Sequence, residues 1–173
     1  MDGEQEIQKA YEAILNNDFE EAIAWFEKAV LSEPGNASYH YKLSITYARS
    51  GKLAKAIDHA VDAYDLEPES EAYQYHLTTL KAKALIAEAD KCLDQSRDRE
   101  QLKNAIVLLK QAAALDPLSV EACLKLAAAY AGVSDFDLAV HAAEEAIRLE
   151  PLNKAAAALL VEYRRKLRQY LKP

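Results

Sequence analysis

Small and apolar residues return along this chain with the period of a helix, and the returns themselves repeat. Before Pro34 stand Ala22, Phe26 and Ala29; before Pro68, Ala56, Ala60 and Ala63; before Pro117, Ala105, Leu109 and Ala112; before Pro151, Ala139, Ala143 and Ala146. Each triplet is spaced i, i+4, i+7, which lays its members on one stripe of a helix. Alanine on such a stripe lets a second helix approach closely. Every one of the four prolines follows an acidic residue, as in Ser32-Glu33-Pro34 and Leu149-Glu150-Pro151, and they lie 34, 49 and 34 residues apart. A period of that size predicts a row of stacked helical hairpins.

The first helix of a hairpin is legible in the same way. Leu43, Ser44 and Tyr47 precede Gly51 and Leu53, and Leu126, Ala127 and Tyr130 precede Ser134 and Phe136. Gly51 suits the left-handed residue that ends a helix. Asp18-x-x-Glu21 and Asp98-x-x-Gln101 read as capping boxes or near variants opening second helices, and Asn36, Ser70, Ser119 and Asn153 as N-caps after the proline turns. Nine helices result, in one domain of repeats at about 3–36, 37–70, 71–119 and 120–153. A closing helix at 154–171 has an apolar side of Ala157, Leu160, Leu167, Tyr170 and Leu171 with Arg164 interleaved, which suits a cap over the exposed end of the array.

The longer spacing before Pro117 places about fifteen extra residues ahead of Leu102. From Glu71 to about Gln95 there is no glycine or proline, which predicts one helix of some 25 residues; the added length is roughly 22 Å of rise, so part of this hairpin should project. Ala82, Leu85, Ile86, Ala89, Cys92 and Leu93 form an apolar stripe along it. The stripe either packs against the lengthened partner helix (Leu102, Ile106) or forms a docking surface, with a homodimer through Leu85, Ile86, Ala89 and Leu93 as the sharper reading.

Composition agrees with an all-helical chain. In 173 residues, 51 % of them hydrophobic, there are only four glycines and five prolines, too few for a strand-and-turn protein. The net charge of −7 argues against nucleic acid or an anionic membrane as the main partner. The C-terminal 23 residues run against that balance, with six Lys/Arg and one Glu, read as the solvated face of the last helix or as a docking stripe for an acidic partner or a lipid surface. Cys92 and Cys123 stand 31 residues apart with no CxxC or Cys/His grouping, so they read as buried free thiols. The acidic Met1-Asp2-Gly3-Glu4 start lacks an apolar segment, and no stretch is long and apolar enough for a membrane span; the expected location is the cytoplasm.

Leu-small-x-x-Tyr, then Gly-x-aromatic, then Ala-x-x-x-Phe-x-x-Ala, then Pro resembles the tetratricopeptide repeat family over essentially the whole chain. The first unit departs from it, with Lys9 and Ala13 where Leu and Tyr are expected. The resemblance implies an all-α, right-handed solenoid of four hairpins, the third elongated, plus the capping helix. It also implies that the first helices line a concave groove that holds a peptide or helix of a partner. The groove-facing register is Ile7 and Tyr11, then Tyr41, Ile45 and Arg49, then Tyr75, Thr79 and Lys83, then Leu124 and Ala128. Tyr39 and Tyr73 read instead as packing between repeats. Tyrosine couples a large apolar face with a polar tip at little entropic cost, which fits recognition. The carboxylate clamp by which some family members hold chaperone tails has no counterpart, since Ile7, Tyr11, Lys42, Ala72 and His76 occupy its places.

Convergent chemistry is missing from the sequence. No GxSxG, HExxH, P-loop or GxGxxG pattern occurs, and no catalytic residue, cofactor or metal site is expected. His40 and His76 lie on neighbouring first helices and are able to approach one another, with no carboxylate or cysteine company; His59 and His141 on second helices carry less signal still. The expected function is a non-enzymatic interaction module that captures a protein or peptide. A self-associating structural protein and a small secretion-type chaperone are the alternatives.

Overall fold

The structure, a computed structural model, describes residues 3–95 and 98–171. Met1 and Asp2 of the acidic start and Lys172 of the basic tail lie outside that range. Among the described residues there are nine α-helices and no strand: α1 Gly3–Leu15, α2 Phe19–Ser32, α3 Ala37–Arg49, α4 Leu53–Leu66, α5 Glu71–Gln95, α6 Arg99–Leu115, α7 Val120–Gly132, α8 Phe136–Leu149 and α9 Lys154–Tyr170.

Local chemistry sets the helix ends. Side chains of Asp18, Asn36, Ser119 and Asn153 accept from the backbone N–H three residues on, at 2.9, 3.3, 3.2 and 2.9 Å, satisfying a donor that the first turn leaves unpaired. Asp135 caps α8 in the same way, a signal the repeat pattern did not expose. Asp98 accepts from the Glu100 N–H at the start of α6. At the other end, the N–H groups of Glu33, Glu67, Asp116 and Glu150 still reach back to Ala29, Ala63, Ala112 and Ala146. The proline that follows each of these four residues disfavours helical backbone before it, and the helix stops. Between first and second helices the chain turns through a left-handed residue: Gly51 at φ 73°, but also Asn17 at φ 58° and Ser134 at φ 66°.

The chain divides into two compact units, the first ending at Lys81 and the second starting at Ala82, inside α5. In the first, α1 packs on α2, α2 on α3 and α3 on α4, around Ala10, Ile23, Phe26, Leu43, Tyr47 and Leu80. In the second, α7 packs on α6 and α8, and α9 on α8, around Ile86, Ala89, Leu109, Leu126, Ala143 and Tyr163. All twelve residues of the four triplets are no more than 1 % exposed. They are buried because an alanine or one well-fitted larger side chain is what the helix–helix distance admits.

Three readings are corrected by the packing. Ile86 and Ala89 are buried in the core of the second unit, with Leu85, Cys92 and Leu93 packed against it; the stripe offered as a homodimer surface is consumed inside the unit. On α9 the buried face is Ala156 and Tyr163 with Leu159 and Leu160 against the core, while Ala157 is exposed and Tyr170 and Leu171 mostly so. The face is rotated by one residue because Tyr163 supplies the largest apolar area. The two free cysteines are half-buried, not buried.

Candidate peptide-binding face

In the first unit the three first helices lie in order, with α3 in the middle. A Cβ placed on Gly3 of α1 would come within 2.7 Å of the Glu33 carboxylate and 2.8 Å of the Tyr39 ring, so α1 meets α3 closely there. On the other flank the Ser44 hydroxyl of α3 lies 2.8 Å from Nε2 of His76 on α5 and donates to the Ala56 carbonyl at 2.6 Å. Ser44 therefore joins α3 to α4 and to α5 at once.

The row of expected groove residues is distributed unevenly. Tyr75 is 59 % exposed and Tyr11 45 %; Tyr11 rests edge-on against the buried Phe26 ring, centroids 5.8 Å apart, which limits its rotamers. Tyr41 is half-buried, its ring tilted on Tyr73 at 4.9 Å and edge-on to His76 at 5.1 Å. It is thus fixed as a wall, with Tyr73 between α3 and α5 as the interrepeat packing reading holds. Ile7 and Ile45 are half-buried and Arg49 is exposed at the end of α3. Thr79 turns its hydroxyl inward, buried and without a hydrogen-bond partner among the described residues, so it offers no donor to solvent. Lys83 is exposed on the part of α5 that belongs to the second unit, where Leu124 is half-buried and Ala128 exposed on α7.

Polar groups flank this face. The Lys42 amine donates to Ser38, and burial holds its pKa below the usual lysine range. Burial and the Glu67 carboxylate push the Tyr73 phenol up, Ser38 opposing them through a hydrogen bond. On the opposite side of α3, Tyr47 donates to Glu27; burial first, then Glu27, raises its pKa well above the ordinary phenol value. Among the described residues no nucleophile–base pair stands on the face.

His40 meets a histidine of the second helix. It pairs across its own hairpin, with Nδ1 3.1 Å from Nδ1 of His59 on α4, and Asp62 joins them. Sequence reading set the first helices side by side and overlooked the second helix; the i, i+3 pair His59/Asp62 was the available signal. Also missed was a cavity of about 730 Å³ in the second unit, lined by Arg99, Leu102, the α7–α8 turn around Phe136, and Leu167 and Tyr170 of α9.

An all-α array of capped antiparallel hairpins, closed by prolines and joined at alanines, defines a class of helical-repeat proteins. Comparison with known proteins names it. The model of the family described as Tetratricopeptide repeat matches residues 7–71. Solved structures share the fold across nearly the whole chain. The MamA protein is 22 % identical, with 98 % of this chain and 90 % of that one covered and a TM-score of 0.54. A tetratricopeptide repeat protein from Parabacteroides merdae is 15 % identical, with 97 % and 61 % covered and a TM-score of 0.56. The P58(IPK) TPR domain is 18 % identical, with 99 % and 58 % covered and a TM-score of 0.52. No curated protein matches in sequence. The chain has the tetratricopeptide-repeat fold.

Proposed function

We propose that this chain is a non-enzymatic interaction module that holds a peptide segment or a helix of a partner protein against the first helices of its first unit. The observation that carries this reading is the aromatic row on α1, α3 and α5: Tyr11 and Tyr75 open to solvent, and Tyr41 held between them in sequence by Tyr73 and His76. A recognition surface needs large apolar faces that lose little entropy on ordering, and rings already restrained by packing meet that need. Arg49, exposed at the end of α3, supplies a cation for partner carbonyls or carboxylates. The two free thiols favour a reducing compartment such as the cytoplasm.

The test is retention of partners on immobilised chain, compared with the Tyr41→Ala/Tyr75→Ala double variant and with Leu31→Ala on the opposite helix of the first hairpin. Truncating an anchor costs about 2 kcal/mol, or about 30-fold in affinity. Loss in the double variant with retention in Leu31→Ala supports the reading. Equal retention in all three removes the tyrosines from binding.

A further inference from the structure

Away from the tyrosine row, the second hairpin brings two imidazoles and a carboxylate to one point. His40 on α3 and His59 and Asp62, one turn apart on α4, present three ligand-type atoms to each other: His40 Nδ1 to His59 Nδ1 3.1 Å, His40 Nδ1 to Asp62 Oδ2 3.2 Å, and His59 Nδ1 to Asp62 Oδ2 3.6 Å. The far nitrogen of His40, Nε2, lies 3.0 Å from the Pro34 carbonyl oxygen. A carbonyl only accepts, so Nε2 carries the proton and donates it there. The lone pair of His40 is then on Nδ1, aimed at His59 and Asp62. We propose that His40 Nδ1, His59 Nδ1 and Asp62 Oδ2 form a binding site for one late first-row divalent metal ion, of which Zn²⁺ is the probe.

The triangle has the dimensions such an ion requires. Imidazole nitrogen and carboxylate oxygen bind Zn²⁺ at about 2.0–2.2 Å, and in a tetrahedron neighbouring ligand atoms are then roughly 3.3–3.5 Å apart. The three observed separations straddle that edge length. An ion seated on the triangle keeps a fourth position open toward solvent. The supporting contacts also match. A ligating histidine characteristically donates its second N–H to a backbone carbonyl, which fixes the tautomer and the ring, and the Pro34 carbonyl does this for the buried His40. His59 is held by the Tyr47 ring, stacked on it at 5.6 Å and 12°. Asp62 is half-exposed, and a surface depression of about 290 Å³ lined by Pro34, His40, Asp62, Asp65 and Leu66 gives the entry path. Asp65, in that depression, adds a second negative charge at the mouth. Bound there, the ion ties α3 to α4 and stiffens the first unit.

The experiment is calorimetric titration of the metal-free, tag-free chain with ZnCl₂, followed by Co²⁺ absorption as a readout of coordination geometry. The expected result is one equivalent bound at a Kd of about 1 µM or tighter, with the visible bands of tetrahedral Co²⁺ and a melting temperature raised by roughly 5–10 °C at hundredfold excess over Kd. His59→Gln and Asp62→Asn each weaken binding by about 10- to 100-fold, and His141→Gln on α8 leaves it unchanged. Asp62 is a surface residue, so its variant keeps the test valid should His59→Gln fail to fold. Binding absent at about 100 µM metal overturns the proposal. So does wild-type affinity in both ligand variants, and wild-type affinity in Asp62→Asn alone overturns the three-ligand assignment.

Discussion

The centre of each triplet carries the sharpest prediction about what holds the hairpins together. Phe26, Ala60, Leu109 and Ala143 occupy equivalent places, each no more than 1 % exposed, yet they differ in volume by most of a benzene ring. If each place is packed to its own shape, the same ring must stabilise at 26 and destabilise at 60. Phe26→Ala removes a buried ring, a loss of about 3–5 kcal/mol from transfer and cavity terms together. It also removes the edge-on partner of Tyr11, about 0.5–1.5 kcal/mol more. Leu109→Ala has no ring partner to lose and costs about 2–5 kcal/mol. Ala60→Phe forces a ring between α3 and α4 and costs about 1–3 kcal/mol or more. Urea titration followed by circular dichroism measures all three, with the slope of each transition checked, since a repeat array need not unfold in one step. A cost under about 1 kcal/mol for Phe26→Ala, or an unchanged midpoint for Ala60→Phe, refutes the claim that each place is packed to its own shape.

Further outcomes follow from the turns, the Ser44 junction and the histidine pair. Gly51→Ala destabilises by about 1 kcal/mol because of its left-handed backbone, whereas Ser134→Gly at the matching place in α7–α8 stabilises by up to about 1 kcal/mol; thermal melts decide the sign. Ser44→Ala costs about 1 kcal/mol by removing its bond to the Ala56 carbonyl and leaving His76 without that contact, read by urea titration. In chelator-treated protein, burial and then His40 hold the His59 pKa below its ordinary 6.5, against the opposing pull of Asp62, Asp58 and Glu27. Because the unfolded chain then binds this proton more readily, the His59 contribution is present above pH 6.5 and is lost as pH falls through the lowered value. His59→Gln flattens that part of the stability profile, and an identical pH dependence in wild type and variant contradicts the assignment.

How much of this was legible in the sequence depends on which physical constraint wrote it there. Close approach of helices demands small residues, so the alanine triplets and their prolines marked the second helices without ambiguity. Absence of glycine and proline marked the length of α5 for the same kind of reason. Asn17 and Ser134 take the left-handed turn that Gly51 takes, but polar residues tolerate it without advertising it. The face of α9 came out one residue off because a run of four alanines followed by two leucines leaves two stripes nearly equal, and Tyr163 decides between them only once α8 is in place. His40 and His59 are nineteen residues apart on opposite arms of a hairpin, and nothing in a one-dimensional pattern aligns two arms at the level of single nitrogen atoms. Tyr41 was legible as an aromatic on the first-helix register, but its restraint by Tyr73 and His76 was not, since that depends on how closely α5 meets α3.

The central claim is that a partner polypeptide lies against α1, α3 and α5, and site-specific photo-crosslinking tests it most directly. A photoreactive phenylalanine analogue is placed at Tyr75, 59 % exposed on α5, and in parallel at Leu31, 78 % exposed on α2. The account predicts crosslinked partner from position 75, reduced by the Tyr41→Ala change in the same chain, and none from position 31. Crosslinks from position 31 alone, or equal yields from both, contradict it.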